Sequence, residues 1–211
     1  MRTISRKDDL VDSRISKVPP EIGYYLAGFV DGEGSFNISF RPRPDYQVPW
    51  KISLSFNVSQ KDRVILALFK RHLGCGTLRS RPDGVWYYEV TNINAVVENV
   101  IPFFERFRFL SAKKKRDFFK FKQIVALMQK GAHLTKDGIR EILAIREDMN
   151  DGGKRRYPHE QILATLDESS ETTRQASLGD DDIVRSPLRN GGSEEAIPKT
   201  ASESMNDSSE T

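Results

Sequence analysis

Two stretches of this chain place an apolar residue at every second position, and that period constrains the fold more than any other feature. In residues 35–41, Phe36, Ile38 and Phe40 alternate with Ser35, Asn37, Ser39 and Arg41. In residues 50–59, Ile52, Leu54, Phe56 and Val58 alternate with Lys51, Ser53, Ser55, Asn57 and Ser59. Successive strand side chains point to opposite faces, so each segment predicts a strand with one apolar and one polar face. Residues 77–81 and 85–91, divided by Pro82-Asp83-Gly84, predict a hairpin that completes a four-stranded sheet. In the last strand, Glu89 sets the phase: Tyr87 and Glu89 fall on the polar face, and Trp86, Tyr88 and Val90 on the apolar one.

Helical periodicity fills the remainder. Residues 22–30 carry Tyr25, Leu26 and Phe29 and stop at the Gly32–Gly34 pair, and residues 62–73 end at Gly74. Residues 93–107 predict a helix interrupted at Pro102, followed by helices over 112–130 and 135–149 and a short helix over 158–166. The order α-β-β-α-β-β-α predicts an α+β domain: a four-stranded, mainly antiparallel sheet with helices covering its apolar face. Residues 1–19 read as a flexible arm, 20–157 as the domain, 158–167 as a short helix or linker, and 168–211 as a disordered acidic tail rich in Ser and Thr.

Charge divides along the same boundary. Residues 1–157 hold 29 Lys and Arg against 18 Asp and Glu, a balance of +11, whereas residues 158–211 hold 4 against 12, a balance of −8. A body this basic suits a polyanion. No apolar run approaches the roughly 18–20 residues a membrane-crossing helix needs, so no membrane partner is expected. Residues 1–20 include Asp8, Asp9 and Asp12 and no apolar stretch, so secretion is not expected. The single cysteine, Cys75, excludes a disulfide framework and a cysteine-based zinc site. The open sheet face mixes short hydrogen-bonding side chains with arginine. That composition fits either a solvated surface or one that meets base edges and phosphates, with Asn toward adenine and Arg toward guanine.

The string Leu26-Ala27-Gly28-Phe29-Val30-Asp31-Gly32-Glu33-Gly34-Ser35 concentrates the chemistry. Ala27 and Gly28 leave little side chain between this helix and any neighbour. Asp31 and Glu33 then stand at a helix C-terminus, where the macrodipole disfavours anions. Two readings follow: an exposed acidic turn, or a site in which a divalent cation offsets the charge.

This decapeptide resembles the signature of the LAGLIDADG homing endonucleases, with Glu33 where that family more often has Asp. Ser59-Gln60-Lys61 and Ala112-Lys113-Lys114-Lys115-Arg116-Asp117 resemble further family segments, and the resemblance spans residues 20–157. It implies site-specific cleavage of both strands of a long, near-palindromic DNA by metal-dependent phosphodiester hydrolysis. The chain is implied to be intron-encoded. Glu33, with Gly32, would hold Mg²⁺; Mn²⁺ would substitute, and Ca²⁺ would support binding without cleavage. Gln60 would orient water, and Lys114 would stabilise phosphate charge, with Lys113 and Lys115 as its rivals. Only one such signature is present, so the resemblance implies a homodimer joined through Leu26, Ala27, Gly28 and Asp31. The DNA-contacting residues would be Asn37, Ser39, Arg41, Arg43, Ser53, Ser55, Asn57, Lys61, Arg63, Arg79, Arg81, Tyr87 and Glu89. The same resemblance admits an intron RNA maturase or a non-cleaving DNA-binding regulator. Host compartment stays open between an organelle that encodes the protein, mitochondrion or chloroplast, and a prokaryotic cytoplasm.

Overall fold

A computed structural model describes residues 14–45, 48–153 and 155–167. Helix α1 (Pro20–Glu33) starts on Pro20, whose fixed φ and missing N–H suit a first helical turn. It runs directly into β1 (Gly34–Pro42), which pairs antiparallel with β2 (Trp50–Gln60) from Gly34 opposite Val58 to Pro42 opposite Trp50. Helix α2 (Arg63–Leu73) is opened by Asp62, whose side chain accepts from the Val64 amide at 2.8 Å, and closed by Gly74 at φ 69°. Strands β3 (Thr77–Ser80) and β4 (Trp86–Val90) form the hairpin. The sheet order is β1-β2-β4-β3, with every pairing antiparallel.

Helix α3 begins at Ile93–Ala95, passes through a π-turn at Val96–Val100 and ends as Ile101–Arg106. The expected interruption at Pro102 does not occur. The wider i→i+5 ladder just before it leaves Pro102 in the opening positions of a new α segment, where its ring blocks no hydrogen bond. Helices α4 (Ala112–Gln129) and α5 (Lys136–Glu147) follow, capped by Ser111 and Thr135. A helix over 159–167 closes the described chain.

One sheet face is sealed by these helices. Phe36, near the start of β1, lies 5.1–5.9 Å from the rings of Phe56, Phe104, Phe109, Phe118 and Phe121, which come from β2, α3, the segment after it and α4. One expected boundary shifts. Ile15 and Val18 are buried, and Arg106 donates to the Ile15 carbonyl, so residues 14–18 belong to the folded body rather than to a loose arm. Ile162 and Leu166 are fully buried, so of the two readings of 158–167, short helix or linker, the packed helix holds, over 159–167. The segment 168–211 lies outside the described residues. Among the described residues no helix is long and apolar enough to cross a membrane.

Because five aromatic rings meet at Phe36, its truncation leaves a cavity that rigid neighbours cannot collapse into. Phe36→Ala should lower stability by about 3–5 kcal/mol in chemical denaturation, and a loss below about 1 kcal/mol would show that the cluster repacks.

Candidate active site and nucleic-acid interface

The signature helix α1 faces inward with Gly23, Leu26, Ala27 and Val30, a stripe at helical spacing. Leu26 and Ala27 are therefore buried in their own protomer, against the expectation that they join two copies. The opposite face carries Tyr24 and Tyr25, each more than half exposed, and Gly28 and Gly32, at which an added Cβ would meet nothing within 4 Å. The small residues of this helix that the protomer's own packing does not require are Gly28 and Gly32.

Helix α1 turns into β1 with no loop. A Cβ on Gly34 would lie 2.5 Å from the Val30 side chain, so only glycine fits the junction. Asp31 and Glu33 precede it and make different contacts. The Asp31 carboxylate accepts from the Leu110 and Ser111 amides, each at 3.2 Å, and from the Ser111 hydroxyl at 2.7 Å. Asp31 thus holds Ser111, the N-cap of α4, from 80 residues away. It was expected at a dimer contact, but its hydrogen bonds are made inside the protomer. The group that offsets its charge is the positive end of α4 rather than a metal ion. Glu33 is exposed and has no hydrogen bond or ion pair among the described residues.

The three consecutive lysines also separate. Lys113 forms an ion pair with Asp151 at 2.5 Å, and Lys115 is exposed. Lys114 is 7% exposed and donates its ammonium to the carbonyl of Gly34, the residue after Glu33. Burial pushes its pKa down, and the charges of Asp117 and Asp31 oppose that shift. Gln60 ends β2, two residues beyond the Val58–Gly34 pairing, so it stands at the same end of the sheet as Glu33. Its side-chain oxygen accepts from the Lys61 amide at 2.8 Å, and Lys61 is exposed.

The uncovered sheet face carries almost all of the residues expected to meet DNA. Asn37 lies opposite Ser55, Ser39 opposite Ser53, Arg41 opposite Lys51, and Asn57 opposite Glu89. Tyr87 and Glu89 share this face, as their phase predicts, because Tyr88 and Val90 are buried on the other. Arg79 pairs with Glu89 at 3.1 Å, and the Arg81 guanidinium sits 4.5 Å from the Tyr87 ring centre. Arg43 is held by Asp45 through two hydrogen bonds of 2.9 and 2.7 Å, which bring the Asp45 pKa down to about 2. Arg63 departs from expectation. Its guanidinium lies 4.9 Å from the centre of the Trp86 ring, which belongs to the helix-covered face, so Arg63 is turned away from the open surface. Ser35, Lys51, Ser59 and Thr77 stand among the same rows and complete the face.

A model of the LAGLIDADG endonuclease family matches residues 26–125. The crystal structure of the homing endonuclease I-TnaI is 30% identical, with a TM-score of 0.60, and the match covers 72% of this chain and 98% of that one.

The chain belongs to the LAGLIDADG homing endonuclease family.

A second solved relative, the meganuclease I-SmaMI bound to uncleaveable DNA, is 31% identical with a TM-score of 0.59. The match covers 63% of this LAGLIDADG chain but 45% of that one. A "probable intron-encoded endonuclease 2" of Neurospora crassa is 32% identical over 132 residues, 61% of this chain, which spans 29% of that relative's length.

The donor set at the α1–β1 junction bears on metal binding. No group of three or more His, Cys, Asp or Glu side chains converges among the described residues. One LAGLIDADG protomer offers one free carboxylate there, Glu33, beside a Gly32 with open space around it. A hard divalent cation takes six or more oxygens, so this set fits one only when other oxygens, such as phosphates and a second copy's carboxylate, complete it.

The two acids should separate in stability measurements. Asp31→Ala removes three hydrogen bonds to Leu110 and Ser111 ahead of α4 and should cost about 1–2 kcal/mol. Glu33→Ala removes no contact and should stay within about 0.5 kcal/mol of wild type. Thermal melting of both variants checks the contrast, and equal losses would contradict the division of roles.

Proposed function

We propose that two copies of this chain form a homing endonuclease that hydrolyses both strands of a near-palindromic DNA duplex in a Mg²⁺-dependent reaction. The observation that carries this reading is the unpaired Glu33 carboxylate at the end of α1, beside the Lys114–Gly34 contact and at the end of a polar, basic sheet face. A lone carboxylate fits half of a metal-dependent site, and the symmetry of a homodimer supplies the other half. The match to nearly all of I-TnaI but under half of I-SmaMI supports a repeating unit of this size.

In this reading the open sheet face lies along a major groove. Asn37, Ser39, Ser53, Ser55 and Asn57 meet base edges, and Arg41, Arg79, Arg81 and Lys61 meet bases and phosphates. Glu33, with Gly32 beside it, holds the metal. A bound Mg²⁺ supplies Lewis acidity and lowers the pKa of a coordinated water. Gln60 orients the attacking water. Lys114 stands under the junction, where its ammonium stabilises charge that builds on the scissile phosphate. The twofold axis passes beside α1 through the face bearing Tyr24, Tyr25 and Gly28, in place of the buried Leu26 and Ala27. Intron RNA as a partner, and the maturase role it implies, draw no specific support from this geometry.

Glu33→Gln should abolish cleavage in Mg²⁺ and leave DNA affinity in Ca²⁺ within about twofold, since glutamine keeps the shape of the residue but not its charge. Substantial cutting by that variant excludes Glu33 as the metal ligand. Tight Ca²⁺-supported binding without any cutting by the wild type would favour the regulator or maturase reading.

Gly28→Leu should halve the mass seen by light scattering with no loss of helix content, because its Cβ meets nothing in the protomer. Ala27→Leu should instead destabilise the protomer, by about 1–3 kcal/mol from overpacking. An unchanged mass for Gly28→Leu would exclude that face as the interface.

A further inference from the structure

Asp117 is 1% exposed, and only one of its carboxylate oxygens has a hydrogen-bond partner, the Asn150 amide at 3.0 Å. The other, Oδ2, is buried with none among the described residues. A buried anion left half satisfied is costly and calls for a counter-charge. The cation on its own helix, one turn earlier, is Lys114, itself buried with its ammonium at the Gly34 carbonyl.

Asn150 ties this helix to the sheet. Its backbone N–H reaches Asp117, while its side-chain amide donates to the Phe36 carbonyl of β1 at 3.0 Å. Making both bonds at once puts Asn150 at φ 54° and Asp151 at φ 52°, left-handed values that Asn and Asp tolerate better than other residues with a Cβ. Asp151 then reaches back to Lys113 at 2.5 Å and Arg116 at 3.0 Å. The turn after α5 therefore clamps the first two turns of α4 onto β1, on either side of Lys114.

We infer that Asp117 and Asn150 are positioning residues that seat Lys114 beneath the α1–β1 junction: Asp117 as its counter-charge and Asn150 as the strut that fixes Asp117 to the sheet. The inference deepens the endonuclease reading and rests on it for its catalytic meaning. The seat itself does not depend on catalysis and can be read without it.

Asn150→Gly keeps the backbone bond to Asp117, adopts positive φ without strain and removes only the bond to Phe36. Asp117→Asn keeps an oxygen for the Asn150 amide and removes only the charge. The first readout is amine labelling of the full-length protein, resolved by mass spectrometry. In the wild type Lys114 should label more slowly than Lys115. In both variants Lys114 should gain about tenfold in rate, while Lys120 and Lys122 later in α4 stay unchanged. Unchanged Lys114 labelling overturns the seat; a rise at all lysines of α4 shows general loosening and overturns it too.

The second readout is single-turnover cleavage of a DNA target in Mg²⁺. Each variant should lose about 10–100-fold in rate, as for groups that orient metal-site residues, with affinity in Ca²⁺ held within about twofold. In a Lys114→Met background neither should lose further rate, because both act through that lysine. Additive losses overturn the positioning role. A wild type that cuts no DNA sinks the endonuclease reading, and the labelling result still decides the seat.

Discussion

The junction at which α1 becomes β1 without a loop is the constraint on which the rest of the site depends. Gly34 admits no side chain there, and the carbonyl it presents is taken by the Lys114 ammonium. One turn earlier, Asp31 takes the amides at the start of α4. Two contacts thus lock the C-terminus of one helix to the N-terminus of another, with each helix end offsetting a charge from the other. The acid left over is Glu33. Its freedom is a consequence of the way Asp31 and Lys114 are used up, and it is what leaves a carboxylate available for chemistry outside the protomer.

The two strands were legible because one sheet face is buried: period-two alternation survives only when each slip would turn a phenylalanine into water. The phase of β4 was legible for the same reason. In α1 the adjacent Ala27 and Gly28 read as one small-residue face, yet successive helical residues lie about 100° apart and cannot share a face. The i, i+3, i+4, i+7 set of Gly23, Leu26, Ala27 and Val30 is the inward stripe. The partner of Asp31 was hidden for a different reason. A carboxylate's partner 80 residues away leaves no trace in local pattern. The Asn150 turn was equally opaque, its only signal being an Asn-Asp pair tolerant of positive φ. Among Lys113, Lys114 and Lys115, spacing alone could not choose. Burial distinguishes them, because one side of α4 faces β1 and Lys114 is the lysine on it.

On the open face, charge is less available than composition suggests. Arg43 is bound by Asp45 and Arg79 by Glu89, and Arg63 is turned toward Trp86. Arg41 and Lys51, opposite each other on β1 and β2, form no ion pair among the described residues. The face therefore offers Arg41 and Lys51 untied, Arg79 on β3 tied to Glu89 on β4, and Ser and Asn between them. For a polyanion, the free pair provides attraction at no internal cost. Each tied arginine must exchange a carboxylate for a phosphate or a base, a near-balanced exchange that favours only correctly placed groups. Such an arrangement suits discrimination more than bulk affinity.

The same reasoning explains why half a site is stable. A complete set of carboxylates converging on one metal position would repel in the apo protein and would have to be held together by the fold. Here Glu33 is exposed, and the neighbouring Asp31 is already held by the Leu110 and Ser111 amides and the Ser111 hydroxyl. In the proposed dimer, the cost of bringing charge together is deferred until a second copy and a metal arrive, when the cation offsets it. A solvated Glu33 at the rim of a tightly locked junction is what that sequence of events requires. The rigidity belongs to the residues behind it, and the reactive group itself is left free to meet its partners.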